Sequence, residues 1–152
     1  MAASAWQLYN EAKKYIGNGT IKLGVDKFKM VLLQSASNAS TFTLSTYAQL
    51  SAEVATAAGY VAGGRALVPA TGQWVQGASA KQQKFTMSAI GIAFTASGAN
   101  IADIKFAVIR NSTGTTAGKL LCWCKLSSSQ FTVATPNTLT VLPAATGIFT
   151  LT

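Results

Sequence analysis

Between Asp26 and Leu33 the side chains alternate polar and apolar, Lys27, Phe28, Lys29, Met30, and then run apolar through Val31, Leu32 and Leu33. Alternation with period two marks a strand with one wet and one dry face. A strand that starts half-wet and ends dry on both sides needs layers above and below it, which predicts a sandwich or barrel. With Gly19 to Val25 ahead of it, the stretch reads as strand, tight turn, strand. Phe28, Met30 and Leu32 form its expected buried face, and Lys22, Lys27 and Lys29 project from one region.

The rest of the chain supplies the layers. Ser4 to Ile16 has a helical pattern: Ser4 and Gln7 stand at capping-box spacing, Ala5, Leu8, Ala12 and Ile16 share a face, and Lys13 and Lys14 lie in the last turn, where the helix dipole favours cations. Gly17 to Gly19 ends it. So short a helix must dock, on its own sandwich or on a neighbouring molecule, and Trp6 and Tyr9 beside the apolar stripe are the docking groups. Gln34 to Thr43 reads as a loop, Tyr47 to Ala58 as a short helix, and Ala66 to Val68 and Gln73 to Gln76 as strands separated by Pro69 to Gly72. From Lys84 to Thr95 the pattern changes phase: Phe85, Met87 and Ala89 are odd, Ile90, Ile92 and Phe94 even. A phase slip exchanges the two faces, so a bulge or bend is expected near Ala89 to Gly91.

Further strands follow around Ile104 to Val108, Leu120 to Leu126, Thr138 to Leu142 and Gly147 to Thr152. In the second of these Leu120, Cys122, Cys124 and Leu126 share one face. The other face carries Trp123 between Leu121 and Lys125, a mixed surface found at interfaces and equally beneath a covering loop. About eight to ten strands with frequent turns make an all-β protein, a sandwich or barrel with a short N-terminal helix. The expected division is a helical arm over residues 1–18 and a single β-sandwich domain over residues 19–152.

Composition changes this picture in two ways. Only 11% of the residues are charged and 49% are hydrophobic, against about 25% charged in ordinary soluble domains. That deficit points to burial between subunits, since interfaces are depleted in charge. The net charge is +8, from twelve basic residues and four acids, Glu11, Asp26, Glu53 and Asp103, so an acidic partner fits. The basic residues are scattered as short pairs instead of interleaving with aromatics, which argues against nucleic acid. No apolar run is long enough for a membrane span, and no signal peptide is expected.

The chemistry is sparse. There is no histidine, so Ser-His-Asp and Cys-His nucleophile systems are excluded. Cys122 and Cys124 lie two apart on one strand, too splayed for an easy bridge, and read as buried thiols in a reducing compartment. They have no further ligands for a metal. Gly114 to Leu120 imitates a phosphate loop but is one residue short, with Leu120 where a hydroxyl is needed. The expectation is a protein with no enzymatic activity, metal or cofactor. Trp74 and Trp123 leave room for a different class, since exposed indoles stack on sugars as well as on proteins.

Three stretches carry a resemblance: Leu8 to Leu23 continuing to Phe28–Leu33; Ala48 to Gly64 with its Glu53-Val54 and its Gly59-to-Gly64 run; and the closing Gly147 to Leu151. In these the chain resembles tailed-bacteriophage virion proteins and is most similar to the capsid cement or decoration proteins. The resemblance implies a β jelly roll that assembles as dimers or trimers on the outside of a capsid and clamps neighbouring major capsid proteins. It implies a place on the virion exterior after synthesis in the host cytoplasm, and no catalytic residues. The candidate interface residues come from the physical reading: Trp6, Tyr9, Lys13, Lys14, Trp74 and Trp123. The alternative is a carbohydrate-binding or tail-associated adsorption module on a similar jelly roll.

Overall fold

The computed structural model describes residues 3–69 and 73–151. Its centre is β2 (Phe28–Gln34), whose Phe28, Met30, Val31, Leu32 and Leu33 are all buried. The anticipated apolar face is therefore inside, and both faces are covered from Met30 onward. β2 pairs antiparallel with β7 (Ile101–Asn111) on one side and with β3 (Arg65–Ala66) on the other. β7 in turn pairs with β8 (Leu120–Lys125) and, through Ile101 and Ile104, with β9 (Phe131–Val133). β1 (Gln7–Leu8) closes the edge of this sheet beside β8.

The second layer consists of two smaller antiparallel sheets. One has the order β11 (Phe149–Leu151), β5 (Gln83–Phe85), β4 (Trp74–Gln76); the other pairs β6 (Ile92–Thr95) with β10 (Thr138–Val141). The layers meet through aromatic rings. Phe28 of β2 stands edge-on to Phe85 of β5, centroids 5.0 Å apart, and Phe85 stacks on Phe149 at 5.3 Å. Tyr60 packs beside Phe94 of β6 at 5.9 Å. The result is the expected all-β sandwich with one short helix.

The anticipated bend lies where the hydrophobic phase slips. β5 and β6 belong to different sheets, and between them Gly91, at φ 71°, donates its N–H to Ser88 O at 2.9 Å. The extended pattern from Lys84 to Thr95 is thus one run that turns a corner of the sandwich.

Three expectations give way to local hydrogen bonding. The helix α1 spans Asn10–Gly17 and does not begin at Ser4. The residues ahead of it extend the main sheet: Ser4 N–H bonds Lys125 O at 2.8 Å, and Gln7 and Leu8 lie opposite Trp123 and Cys122. The stretch from Gly19 to Val25 forms turns where a strand was expected, because Lys22 O accepts the N–H groups of Val25 and Asp26 while the Asp26 carboxylate accepts the Lys22 N–H. The segment from Tyr47 to Ala58 holds a single 3-10 turn, Tyr47–Gln49, closed by a Thr46–Gln49 capping box. Beyond it the backbone bonds β2 instead of itself, with Gln34 N–H on Ala52 O and Val54 N–H on Leu32 O. The expected connection from Pro69 to Gly72 and the end of the last strand at Thr152 fall partly outside the described residues.

Candidate functional site

The six candidate interface residues separate into buried and exposed groups. Tyr9 is wholly buried, its hydroxyl donating to Ala39 O at 2.7 Å, so it docks the N-terminal segment on its own subunit. Trp123 is 8% exposed, lying under the ring of Phe42 at 5.7 Å and beside Phe106 at 6.2 Å. Both are corrections to an interface role. The physical reason for Trp123 is register: Val31, Val108 and Trp123 lie opposite one another across β2, β7 and β8, so they share a face that the loop after β2 covers.

Trp6, Lys13, Lys14 and Trp74 keep surface access, on separate elements. Trp6 is half-buried and lines an open groove of about 360 Å³ together with Leu142 and Pro143. Lys13 and Lys14 are exposed on α1, where Lys14 pairs with Glu11 at 3.6 Å, the one ion pair among the described residues. Trp74 is half-buried in β4, 6.3 Å from Phe149.

A polar cluster that sequence reading missed lies over the end of β2. The Glu53 carboxylate accepts hydrogen bonds from the Tyr47 hydroxyl, from the Tyr60 hydroxyl at 2.7 Å and from Gly63 N–H at 2.7 Å. Tyr60 also accepts the Leu32 N–H at 3.1 Å, and Arg110 donates to Gly63 O at 2.9 Å with its guanidinium 4.4 Å from the Tyr47 ring centre. Burial, then the bond to Glu53, pushes the Tyr47 phenol up to about 12, and the same causes raise Tyr60 further. Both phenols therefore remain protonated donors at neutral pH. A carboxylate occupied by three donors is a clamp that ties the 47–64 segment to β2 and β7. Its sequence signal was faint: Glu53 is the one charged residue between Lys29 and Arg65.

Asp26 has a comparable role. Its carboxylate is buried and accepts from Asn111 Nδ2 at 2.6 Å and from Lys22 N–H at 2.9 Å. The two thiols are also interior. Burial raises Cys122 well above the ordinary range, and burial, partly offset by a backbone hydrogen bond from Ala107, pushes Cys124 up to about 12.

The acids are thereby accounted for, and the surface charge is almost all positive. Asp26 is buried, Glu53 is clamped and Glu11 faces Lys14 at the surface, which leaves Asp103 as the exposed acid with no ion-pair partner among the described residues. Lys29 and Arg110 even stand directly opposite each other on β2 and β7, a like-charge pairing that costs stability. An open groove of about 530 Å³ is lined mainly by small and polar residues, including Gln82, Lys84 and Thr150. Among the described residues no three His, Cys, Asp or Glu gather as a metal set, and no helix is long and apolar enough to cross a membrane.

Fold and surface together define an antiparallel β-sandwich with a basic exterior. No family model matches the chain, and neither a curated protein nor a solved structure matches it.

Proposed function

We propose that this protein is a structural virion component that binds the outside of a tailed-phage capsid and bridges neighbouring major capsid proteins. The observation that carries this reading is the one-signed surface. None of the twelve basic side chains is buried, whereas Asp26 is buried, Glu53 is held by three donors and Glu11 is paired with Lys14, a balance that suits a broad acidic lattice better than a small ligand. The resemblance to cement and decoration proteins points the same way. The mechanism is avidity: an oligomer of a rigid sandwich touches several capsid subunits, and each weak contact raises the effective concentration of the next. The partners are the major capsid protein and further copies of the chain, with no part for nucleic acid, membrane, cofactor or catalysis. The protein is made in the host cytoplasm and ends on the capsid exterior.

The carbohydrate-binding or adsorption alternative rested on two indoles. With Trp123 interior, it keeps Trp74 alone as a platform.

Co-sedimentation with heads stripped of this protein tests the proposal. Binding that saturates at a fixed number of copies per head and weakens with rising salt supports it. Failure to bind heads, or binding only to tails or to a glycan array, overturns it.

A further inference from the structure

Among the described residues, the outer side of β10 is unpaired. Ala96 N–H bonds Asn137 O at 2.9 Å, so by alternation Phe94–Leu139 and Ile92–Val141 are the other hydrogen-bonded rungs of the β6–β10 pair. Thr95 and Thr138 form the closer, non-bonded rung between them, with their hydroxyls 2.8 Å apart. The backbone N–H and C=O groups of Thr138 and Thr140 therefore point away from β6. On the far side of β6 such groups are engaged: Ala93 O accepts from the Arg65 guanidinium, and Ser97 N–H bonds Ala58 O. Beside β10, among the described residues, no backbone group pairs with them. An open, mostly apolar groove of about 270 Å³ runs there instead, with Ala3 of the N-terminal segment and Leu126, Phe131, Leu139 and Leu142 in its lining.

Edge strands are ordinarily guarded by a lysine, a proline or a bulge. β10 is short and flanked by Pro136 and Pro143, but within Thr138–Val141 it carries no lysine, proline or bulge. No charged side chain follows Lys125, and none lies between Lys84 and Asp103, so the whole β6–β10 sheet is uncharged in a chain of net charge +8. At its end stand two exposed apolar side chains, Leu142 at 57% and Ile90 at 77%. Gly91 packs against Leu142 and brings the two into one neighbourhood.

We propose that β10 pairs antiparallel with β10 of a second copy about a two-fold axis at Leu139, joining the two small sheets into one. Charge selects this occupant. An acidic partner is drawn to the basic faces, whereas two copies of a +8 chain repel each other everywhere except where neither carries charge. The geometry is self-complementary, as a two-fold interface requires. With Leu139 on the axis, Thr138 of each copy faces Thr140 of the other, and each such rung exchanges N–H and C=O bonds in both directions. Leu142, Ile90 and the groove add the apolar area that a short strand pairing lacks. The inference deepens the reading above and rests on it only in expecting self-association. Particle binding enters no arm of its test, so the two fail separately.

Sedimentation equilibrium of the full chain, from about 1 to 200 µM, reads the association directly. The expected result is a reversible monomer–dimer equilibrium. Thr140→Pro removes an outward N–H while breaking no bond inside the chain. Leu142→Lys sets a charge on an exposed flank and keeps the test valid if the proline variant fails to fold. Each is expected to weaken dimerisation at least tenfold with an unchanged far-UV circular dichroism spectrum. A chain monomeric throughout the range, a trimer, or a dimer that the folded variants leave at wild-type strength overturns the proposal.

Discussion

Tyr60→Phe isolates the clamp over β2, because it removes one oxygen and leaves the ring against Phe94. That oxygen is buried and makes two bonds, donating to Glu53 at 2.7 Å and accepting from Leu32 N–H at 3.1 Å. Its loss orphans a buried backbone donor, worth about 1–3 kcal/mol, and removes a hydrogen bond to a charged group, worth about 1.5–3 kcal/mol. The effects overlap, so the expected destabilisation is about 2–4 kcal/mol. For a domain of this size each kcal/mol moves Tm by about 2–4 °C, giving a fall of roughly 5–15 °C. Tyr47→Phe is the control. It loses one bond to the same carboxylate from a half-buried position and is expected to cost about 1 kcal/mol. Urea unfolding of wild type and both variants measures the difference. A Tyr60→Phe loss below about 0.5 kcal/mol, or one no larger than that of Tyr47→Phe, refutes the assignment of the cluster as the fastening of the 47–64 segment.

Three further outcomes follow from the geometry. Trp123→Ala is expected to cost about 3–5 kcal/mol in chemical denaturation, as for any large buried ring, and a loss under about 1 kcal/mol contradicts the interior placement. Gly64 has φ 79°, and a side-chain carbon there meets the Met30 carbonyl, so Gly64→Ala is expected to cost at least about 3 kcal/mol; Gly98→Ala, at φ 75° in open space, costs about 1 kcal/mol by the same assay. Burial pushes the Cys124 thiol up to about 12 in the folded chain from an ordinary 9.0, so its stabilising contribution is whole below pH 9 and is lost as pH rises toward 12. Over that window stability falls by up to about 1.4 kcal/mol per pH unit for this thiol. Cys122 and Tyr60 shift in the same direction. Urea midpoints from pH 8 to 11 should decline, and a level profile runs against the burial of these groups.

Legibility in the sequence tracked the range of the forces involved. The core of β2 was readable because alternation and an apolar run are local consequences of having layers on one or both sides. The corner between β5 and β6 was readable for the same reason, since a phase slip at Ala89–Gly91 records a change of sheet. Ser4 to Leu8 misled because helical spacing there competes with an open sheet edge: β8 offers ladder bonds to Ser4, Gln7 and Leu8 that outweigh a short helix's propensity. Trp123 misled because periodicity assigns a face without saying what lies over it. Phe42, which covers it, comes from a loop far away in the chain. The Glu53 clamp was invisible for a similar reason, as it joins Tyr47, Tyr60 and Gly63 to Arg110 across strands that only the folded register brings together.

The proposed function places the protein on the outside of a capsid. Immunogold labelling of intact, unfixed particles in the electron microscope tests it most directly. The expected result is regular labelling over the head surface, present on sealed, genome-filled particles and lost when the protein is stripped. Label confined to tails, exposed only after heads are broken open, or absent from particles altogether contradicts it.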